Sequence, residues 1–534
     1  MLPHVLPLLS RSAALFVFVG FLALTTASSQ ERGRPFVQGE VLVKLRKGVS
    51  KNRSNDLLAA HGAARQENLA GQGWVRVKLR KGQDPQSAIA ELQTNPDVEA
   101  VQPNFYYHLA ATPNDPMWSN SSLYGLTRIS APAAWDITTG NPSVVVANID
   151  TGMRYTHEDL AANMWTNPGE IQGNGIDDDG NGFADDYYGY DFFYNDPDPL
   201  DEHGHGTHTG GTIGAVGNNG LGIVGVSWNV KIMAIKIFSA SGKDSTSAML
   251  INAYNYIRMM KERGVNIRVT NNSYAGCDEQ CGIDYATKEA IDTLGDAGIL
   301  NVFAAGNNNQ NNDTSSTPNY PATYTSPSVI SVASSTSTDL RSGFSAYGPG
   351  SVDLAAPGSG VLSTTFASDS SYGTMSGTSM ATPHVTGAAA LLAAFDPSLS
   401  PASIKATLMN TVDTFASLGT TVEQNWAPTP IRSAGRLNVA RALQNRTVCT
   451  FDVPATTISA RMKGGYYTVG VTAPQNCDFA VKSNARWVQV NSDAGSGSGQ
   501  VGFWIRVNPL VHRSTTLTIA GKTITVNQTR GFAN

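Results

Sequence analysis

Apolar and polar positions run along this chain in four successive rhythms. The first is a continuous apolar run, Ala13 to Leu24, preceded by Arg11 and closed by the small residues Thr25-Thr26-Ala27-Ser28. A bilayer span needs about 20 apolar residues, so this shorter run reads as a signal peptide over residues 1–28, cut at or just after Ala27. In the second, apolar and basic residues alternate in Gly39 to Lys47 and in Trp74 to Arg80, predicting two strands. Helical spacing in Asn55 to His61 and Pro85 to Leu92, and a short closing segment from Val98 to Asn104, complete a small α+β unit over residues 29–110.

The third rhythm extends from Ser143 to Leu392. Strand-like runs at Val144–Ile149, Lys231–Ile237, Ile267–Asn272, Leu300–Ala304 and Val329–Val332 alternate with helical stretches. This predicts an α/β domain over residues 111–446, a mostly parallel sheet with helices on both faces, ending in the helical Gly435 to Leu443. After Cys449 the period shortens again. Tyr466–Val471, Phe479–Val481, Trp487–Val490, Gln500–Val507, Thr515–Ile519 and Lys522–Asn527 read as the strands of an all-β, immunoglobulin-like sandwich over residues 447–534. Trp487 and Trp504 read as core residues of this sandwich, with exposed ligand platforms as the alternative.

Composition narrows the classes. A chain of 534 residues exceeds a single core. Its net charge of −5 offers no basic face for nucleic acid. Four cysteines in an exported chain suggest pairing, and the local choice is Cys277 with Cys281 and Cys449 with Cys477; four free thiols are the alternative. No CxxC pair or Cys/His cluster argues for zinc.

The stretch Gly373 to His384, GTMSGTSMATPH, combines a small-residue turn with the start of an apolar run, Val385 to Ala394, that reads as a buried helix. Proline is tolerated near a helix start and disruptive within one, so Pro383 places Ser379 by the N-terminus, where unpaired N–H groups favour developing negative charge. A Ser/Thr-capped core helix would use the same residues, and this stretch alone does not choose. A serine nucleophile also needs a base, a carboxylate to orient that base, and donors for an oxyanion. Asp150 closes the strand VVVANID, His205 lies in HGHGTHTGGTIG, and Asn307 follows LNVFAAG. In open sheets of this kind such strand ends gather function.

The motifs DTG at Asp150, HGTH at His205, AAGN at Asn307 and GTSMATPH around Ser379 resemble, in order, those of the subtilisin-like serine proteases, the subtilases. The resemblance implies Ser379 as nucleophile, His205 as general base and then acid, Asp150 as orienter, and Asn307 with the Ser379 N–H as oxyanion hole. His203 and His208 compete for the base, but only His205 opens HGTH. The unit at 29–110 resembles the family's inhibitory propeptide, with the mature chain beginning between His108 and Thr112. NSYAG, from Asn272, resembles the edge segment that pairs with substrate, and implies Ser273, Tyr274, Ala275 and Gly276 as substrate-binding, with Ala305 and Gly306 opposite. The commoner family form has Leu where Tyr274 stands and Gly where Ala275 stands. Gly306 to Asn312 carries no charge, so an apolar or aromatic P1 residue is expected. The C-terminal run resembles the BACON-type bacterial modules, which implies a glycan or surface ligand there. The reading is a secreted serine endopeptidase made as a zymogen, a monomer acting on proteins or peptides and inhibited by its own propeptide. The alternatives are a non-catalytic secreted binding protein on a protease scaffold, or carbohydrate binding through the C-terminal module.

Structural calcium is expected, with no cofactor for catalysis. Asp115, Asp159 and Asn219, with the carbonyls of Val216, Leu221 and Ile223, resemble a common subtilase calcium site and supply the oxygens that Ca²⁺ prefers. In NGIDDDGNGFADD, from Asn174, Asp177, Asp179, Asn181 and Asp185 are spaced somewhat like an EF-hand loop, without its terminal Glu. Asp191, Asp196 and Asp198 form a third grouping, resembling a thermitase-like site.

Overall fold

The computed structural model describes residues 36–69, 73–105, 112–275, 283–416, 426, 430–508 and 511–529. The chain divides into two compact units between residues 107 and 108. Within the first, strands β1 (Phe36–Leu45), β2 (Ala63–Asn68), β3 (Trp74–Leu79) and β4 (Val98–Phe105) form an antiparallel sheet of order β2-β3-β1-β4. Helices α1 (Lys51–Ala60) and α2 (Pro85–Gln93) start at Ser50 and Asp84, whose side chains accept the N–H groups of Arg53 and Ser87. Val41, Val43, Leu58, Val77, Ile89 and Leu92 meet in the core. The strand β2, AARQEN, has no apolar alternation to betray it. It lies at the edge of the sheet, where polar side chains suit an exposed strand.

The second unit is built on a nine-stranded sheet of order β14-β15-β11-β10-β9-β8-β5-β7-β6. These are β5 (Gly140–Asp150), β6 (Gly189–Asp191), β7 (Asn229–Lys236), β8 (Ile267–Asn272), β9 (Leu300–Ala304), β10 (Val329–Ser335), β11 (Leu354–Pro357), β14 (Asp413–Thr414) and β15 (Gly435–Arg436). All neighbours are parallel except β14 with β15. The period of two distributes β5 between two cores. Val144 and Val146 face one core, and Val145, Ala147 and Ile149 the other, which is why Val144 to Ile149 is apolar throughout except at Asn148. After the short helices α3 (Tyr124–Arg128) and α4 (Ala131–Trp135) come α5 (His205–Gly214), α6 (Ser247–Glu262), α7 (Tyr285–Asp296), α8 (Thr378–Phe395), α9 (Pro401–Asn410) and α10 (Val439–Gln444). The central α8 is buried on every side from Thr378 to Ala393. A hairpin of β12 (Val361–Thr364) and β13 (Tyr372–Met375) leads into it.

Beyond α10 the chain forms a sandwich. Its larger sheet has the order β16-β23-β22-β18-β20, from Thr457–Ala460, Lys522–Gln528, Arg513–Ile519, Asp478–Ser483 and Ala494–Ser496. The smaller has the order β17-β21-β19, from Gly465–Val471, Gly499–Ile505 and Val488–Val490. Phe503 and Ile505 fill the core, so alternation turns Trp504 outward; it is 53% exposed beside Tyr466, and the expectation that it is a core residue is corrected. Trp487 is half-buried under the Arg513 guanidinium. Cys449 and Cys477 are joined as expected, while Cys277 and Cys281 lie outside the described residues. At the first residue of β18, the Asp478 carboxylate receives Arg432 at 2.7 and 3.0 Å and Lys405 at 2.9 Å, and both cations also meet Asp353 at 3.3 Å. The sandwich is thereby seated on the α/β portion.

Candidate active site

Asp150 is the last residue of β5 and only 1% exposed. Its Oδ1 accepts the Thr151 N–H at 2.8 Å and lies 2.7 Å from Nδ1 of His205, the first residue of α5. The loop before α5 is held by Asp201, whose carboxylate accepts the N–H groups of His203, Gly204 and Thr207 and the hydroxyls of Thr151 and Thr207. A Cβ at Gly206 would stand 2.1 Å from the Gly152 carbonyl oxygen, so only glycine lets α5 approach the end of β5 this closely. Burial pushes the His205 imidazole down, but the Asp150 charge and hydrogen bond, with Asp201 behind, raise it above its ordinary 6.5. His208 is buried without a carboxylate and is pushed down to about 4 by burial, its Nε2 facing the Val361 carbonyl oxygen. Among the described residues, His205 alone of the three neighbouring histidines is paired with the acid that a base requires.

Gly377 caps α8, and Ser379 is the helix's second residue. Its Oγ donates to the Ser273 carbonyl at 3.0 Å. Pro383 stands inside the helix at its sixth position, rather than in the first turn. Proline has no N–H to donate four residues back; the Ser379 carbonyl accepts Ser273 Oγ instead, at 2.9 Å. Asn307 is oriented by Thr378, whose N–H and Oγ1 donate to its Oδ1 at 2.8 and 2.9 Å, which turns the amide Nδ2 the other way. That Nδ2 and the Ser379 N both lie 3.5 Å from the point where a Cβ on Gly377 would sit. Two donors thus converge on a space kept open by the absence of a side chain, beside a hydroxyl at a helix N-terminus. Such a set can hold an oxyanion.

Along the flanking segments, Ser273 is buried and Ala275 exposed. Tyr274 turns inward between Phe238 and Phe303, its hydroxyl 2.7 Å from Tyr254 Oη and 2.8 Å from Asn272 Oδ1, with burial raising it far above its ordinary range. Opposite, Ala305 is buried, and Gly306 is covered by the Asn319 amide, itself bonded to Asn308 and Asn312. Gly276 lies outside the described residues.

Of the three acidic groupings, the first comes together. Asp115 accepts the N–H groups of Asn218 and Asn219, Asp159 accepts Asn219 Nδ2 and the Ile223 N–H, and the Val216 N–H bonds the Asp159 carbonyl, with Leu221 N–H closing the loop onto Asn219 Oδ1. Burial, then the nearby charge of Asp159, raises the Asp115 carboxyl. The second is rearranged. Carboxylate oxygens of Asp177, Asp179 and Glu170 lie within 4.8 Å of one another and could hold a metal ion. Asp185 instead clasps the loop, accepting the N–H groups of Gly173, Asn174 and Gly175, and Asn181 turns its amide to Asp179 and Asp186. In the third, the Lys236 ammonium bridges Asp191 and Glu202 at 3.0 Å each, so a side chain supplies the cation there.

Thr378, Asp201 and Glu170 were not picked out from sequence. Thr378 adjoined a recognised serine and could have been; Glu170 works through contacts with a loop that no motif links to it.

Residues 141–439, more than half the chain, match the profile of the Subtilase family. The chain belongs to the subtilase family. Residues 23–104 of this subtilase match the fervidolysin N-terminal prodomain. It is 37% identical over 333 residues to thermitase of Thermoactinomyces vulgaris, covering 62% of this chain and 99% of thermitase. Over 394 residues it is 33% identical to a thermophilic serine proteinase of Bacillus sp. strain AK1, covering 73% of this chain and 86% of that protein. An extracellular basic protease of Dichelobacter nodosus is 33% identical over 367 residues, with 63% of this chain and 58% of that protein covered. The chain is therefore a thermitase-like serine endopeptidase with a prodomain.

Proposed function

We propose that this subtilase hydrolyses peptide bonds through an acyl-enzyme, with Ser379 as nucleophile, His205 as base and Asp150 as orienter. The observation that carries the reading is the 2.7 Å pairing of His205 Nδ1 with Asp150 Oδ1. Bonded there, the imidazole keeps its proton on Nδ1 and offers Nε2 as acceptor. Ser379 Oγ leaves the Ser273 carbonyl, transfers its proton to Nε2 and bonds to the scissile carbon. The carbonyl oxygen becomes an oxyanion between Asn307 Nδ2 and the Ser379 N–H. His205 then protonates the leaving amine, and a water, deprotonated by the same nitrogen, releases the acid. Ser273 to Gly276 pair with extended substrate on one side, with Ala305 and Gly306 on the other. The uncharged surroundings of Gly306 suit an apolar or aromatic P1 side chain.

The chain is organised as an export signal over 1–28, an inhibitory propeptide over 29–110, a catalytic domain over 111–446 and a sandwich over 447–534, secreted and monomeric. Among the described residues no helix is long and apolar enough to cross a membrane, and the relative from D. nodosus is named as extracellular. Calcium would be held by Asp115, Asp159 and Asn219 with the carbonyls of Val216, Leu221 and Ile223, and by Asp177 and Asp179 with Glu170. These donor sets are all oxygen, as Ca²⁺ requires, and their charges are crowded. There an ion would neutralise these charges and lock the loops, outside the chemistry of the triad.

The test is covalent labelling of the mature protein by a serine-directed phosphonate, with casein hydrolysis as readout. Labelling at Ser379, and a loss of about 10⁵- to 10⁶-fold in Ser379→Ala, are expected. A Ser379→Ala protein that still hydrolyses casein, or labelling elsewhere, would overturn the assignment.

A further inference from the structure

Two asparagines stand side by side in the centre of the sheet, where apolar side chains would satisfy burial. Asn148 on β5 and Asn271 on β8 are register partners, and neither is exposed at all. A period of two puts Asn148 on the same face as Asp150, and Asn271 on the same face as Ser273. The amide of Asn271 has two hydrogens. One goes to Asn148 Oδ1 and the other to Ser273 Oγ, both at 3.0 Å, while its Oδ1 accepts Thr386 Oγ1 from α8 at 2.9 Å.

From that hub the hydrogen bonds run in one sense toward each reacting residue. On one branch, Asn148 Nδ2 donates to Thr209 Oγ1 at 3.2 Å and to the Gly206 carbonyl at 3.0 Å. Thr209 Oγ1 has a single hydrogen and three acceptors in reach, Asp150 Oδ2 at 3.2 Å, the Gly206 carbonyl at 3.0 Å and Asn148 Oδ1 at 3.3 Å. Only Asp150 is charged, and charge-assisted bonds are the stronger. On the other branch, Ser273 Oγ donates to the Ser379 carbonyl, the acceptor that Pro383 leaves without a helical partner. Donors and acceptors match along the whole string, so no amide needs to turn. A buried network of this kind is costly unless fully satisfied, and rigid when it is.

We infer that Thr209, Asn148, Asn271 and Ser273 are positioning residues that fix the orienting carboxylate and the nucleophile relative to one another, by a path beneath the site that does not pass through His205. The inference rests on the roles proposed above for Asp150, His205 and Ser379. The string moves no proton. It holds Asp150 Oδ2 from behind while Oδ1 faces the imidazole, and it anchors the first turn of α8 against the edge that receives substrate. Small displacements of such groups are expensive in rate.

Thr209→Val keeps volume and removes the terminal donor. In the purified mature enzyme we expect kcat to fall about tenfold with KM nearly unchanged, the pattern of a lost transition-state contribution. The acid limb of kcat/KM should move to higher pH, because a carboxylate deprived of a donor holds the imidazolium more tightly. The titratable groups around His205 are Asp150, Asp201 and His203 before its helix and His208 within it, and of these the substitution touches only Asp150, by removing its Thr209 donor. Thr209→Ser should restore both kcat and the limb. A folded Thr209→Val enzyme with wild-type kcat and pH profile, or with only KM or melting temperature altered, would overturn the inference. Asn271→Leu should lower kcat further; if it does not fold, the threonine pair decides. Failure here leaves phosphonate labelling and the Ser379→Ala loss untouched, so the two readings fail separately.

Discussion

Just before β11, Asp353 meets Lys405, Arg432 and Asp478 in a buried set of two acids and two bases; at the opposite ends of strands lie Asp150, His205, Asn307 and Ser379. In the first set every charge faces an opposite one within 3.3 Å. The cations hold Asp478 well below the usual carboxylate range despite burial, and its charge, with that of Asp353, raises Arg432. In the second set, among the described residues, nothing accepts a hydrogen from Asn307 Nδ2, and Ser379 Oγ rests on a backbone carbonyl rather than on a charge. The difference separates cohesion from chemistry. A cluster that satisfies itself can only hold pieces together, whereas a reactive one must keep donors and a base available to something that arrives later.

Removing one member of each set should expose that difference. Asp478→Ala leaves Lys405 and Arg432 to share the single carboxylate of Asp353 and should cost about 3 kcal/mol of unfolding free energy, the low end for a broken buried pair, while leaving kcat/KM almost unchanged. Denaturant titration in the inactive Ser379→Ala background checks this without self-digestion. Asn307→Ala should do the reverse, lowering kcat by about 10²- to 10³-fold, the scale measured for such a donor in a related subtilisin, with a small change in midpoint. A large loss of stability in the second variant, or of rate in the first, would erase the distinction.

Chelation tests a third kind of cluster, acids that already accept backbone N–H groups and could also take a cation. Removing calcium should lower stability by about 2–3 kcal/mol where the ion had been present at a hundred times its dissociation constant, seen as a lower melting temperature with kcat retained. Substituting Glu170→Gln should weaken this response more than Asp185→Asn. The smallest effect is on pH. Burial works against the His205 imidazolium, but Asp150 and Asp201 favour it enough to raise its pKa above the ordinary 6.5, so the acid limb of kcat/KM should lie above that value. Asp478 is depressed below its ordinary 3.8; its contribution to stability is present above that value and is lost only as pH falls through the lower folded one. At about pH 5 the enzyme should therefore be inactive, intact by circular dichroism and fully recoverable on neutralisation.

Much of this was legible in the chain. Strand ends mark themselves by the change from apolar to small and polar residues, and the residues at Asp150, His205, Asn307 and Ser379 lie in short motifs because neighbouring glycines must be close to them in sequence. Five of the parallel strands, though not their order in the sheet, and the sandwich also followed from periodicity. Trp504 was misplaced although the signal was there: Val501, Phe503 and Ile505 already occupied the inward positions. Glu170, Asn148 and Thr209 were not legible, because each acts through a partner on another element that no local spacing announces. Lys236 shows the same limit, its ammonium reaching Asp191, one of the three acids that suggest a third ion.

The bridge between Cys449 and Cys477 closes a loop of chain at the junction with the sandwich. Cys449 N–H is tied to Ser403 Oγ, and Asn410 bonds both the Gln475 carbonyl and Asn476. A protease in its own company is exposed to stray cuts, and one falling anywhere between residues 450 and 476 would leave the two fragments covalently joined. Such a molecule would migrate as a single species until reduced, so a nick that would otherwise shed the appendage becomes a silent scar.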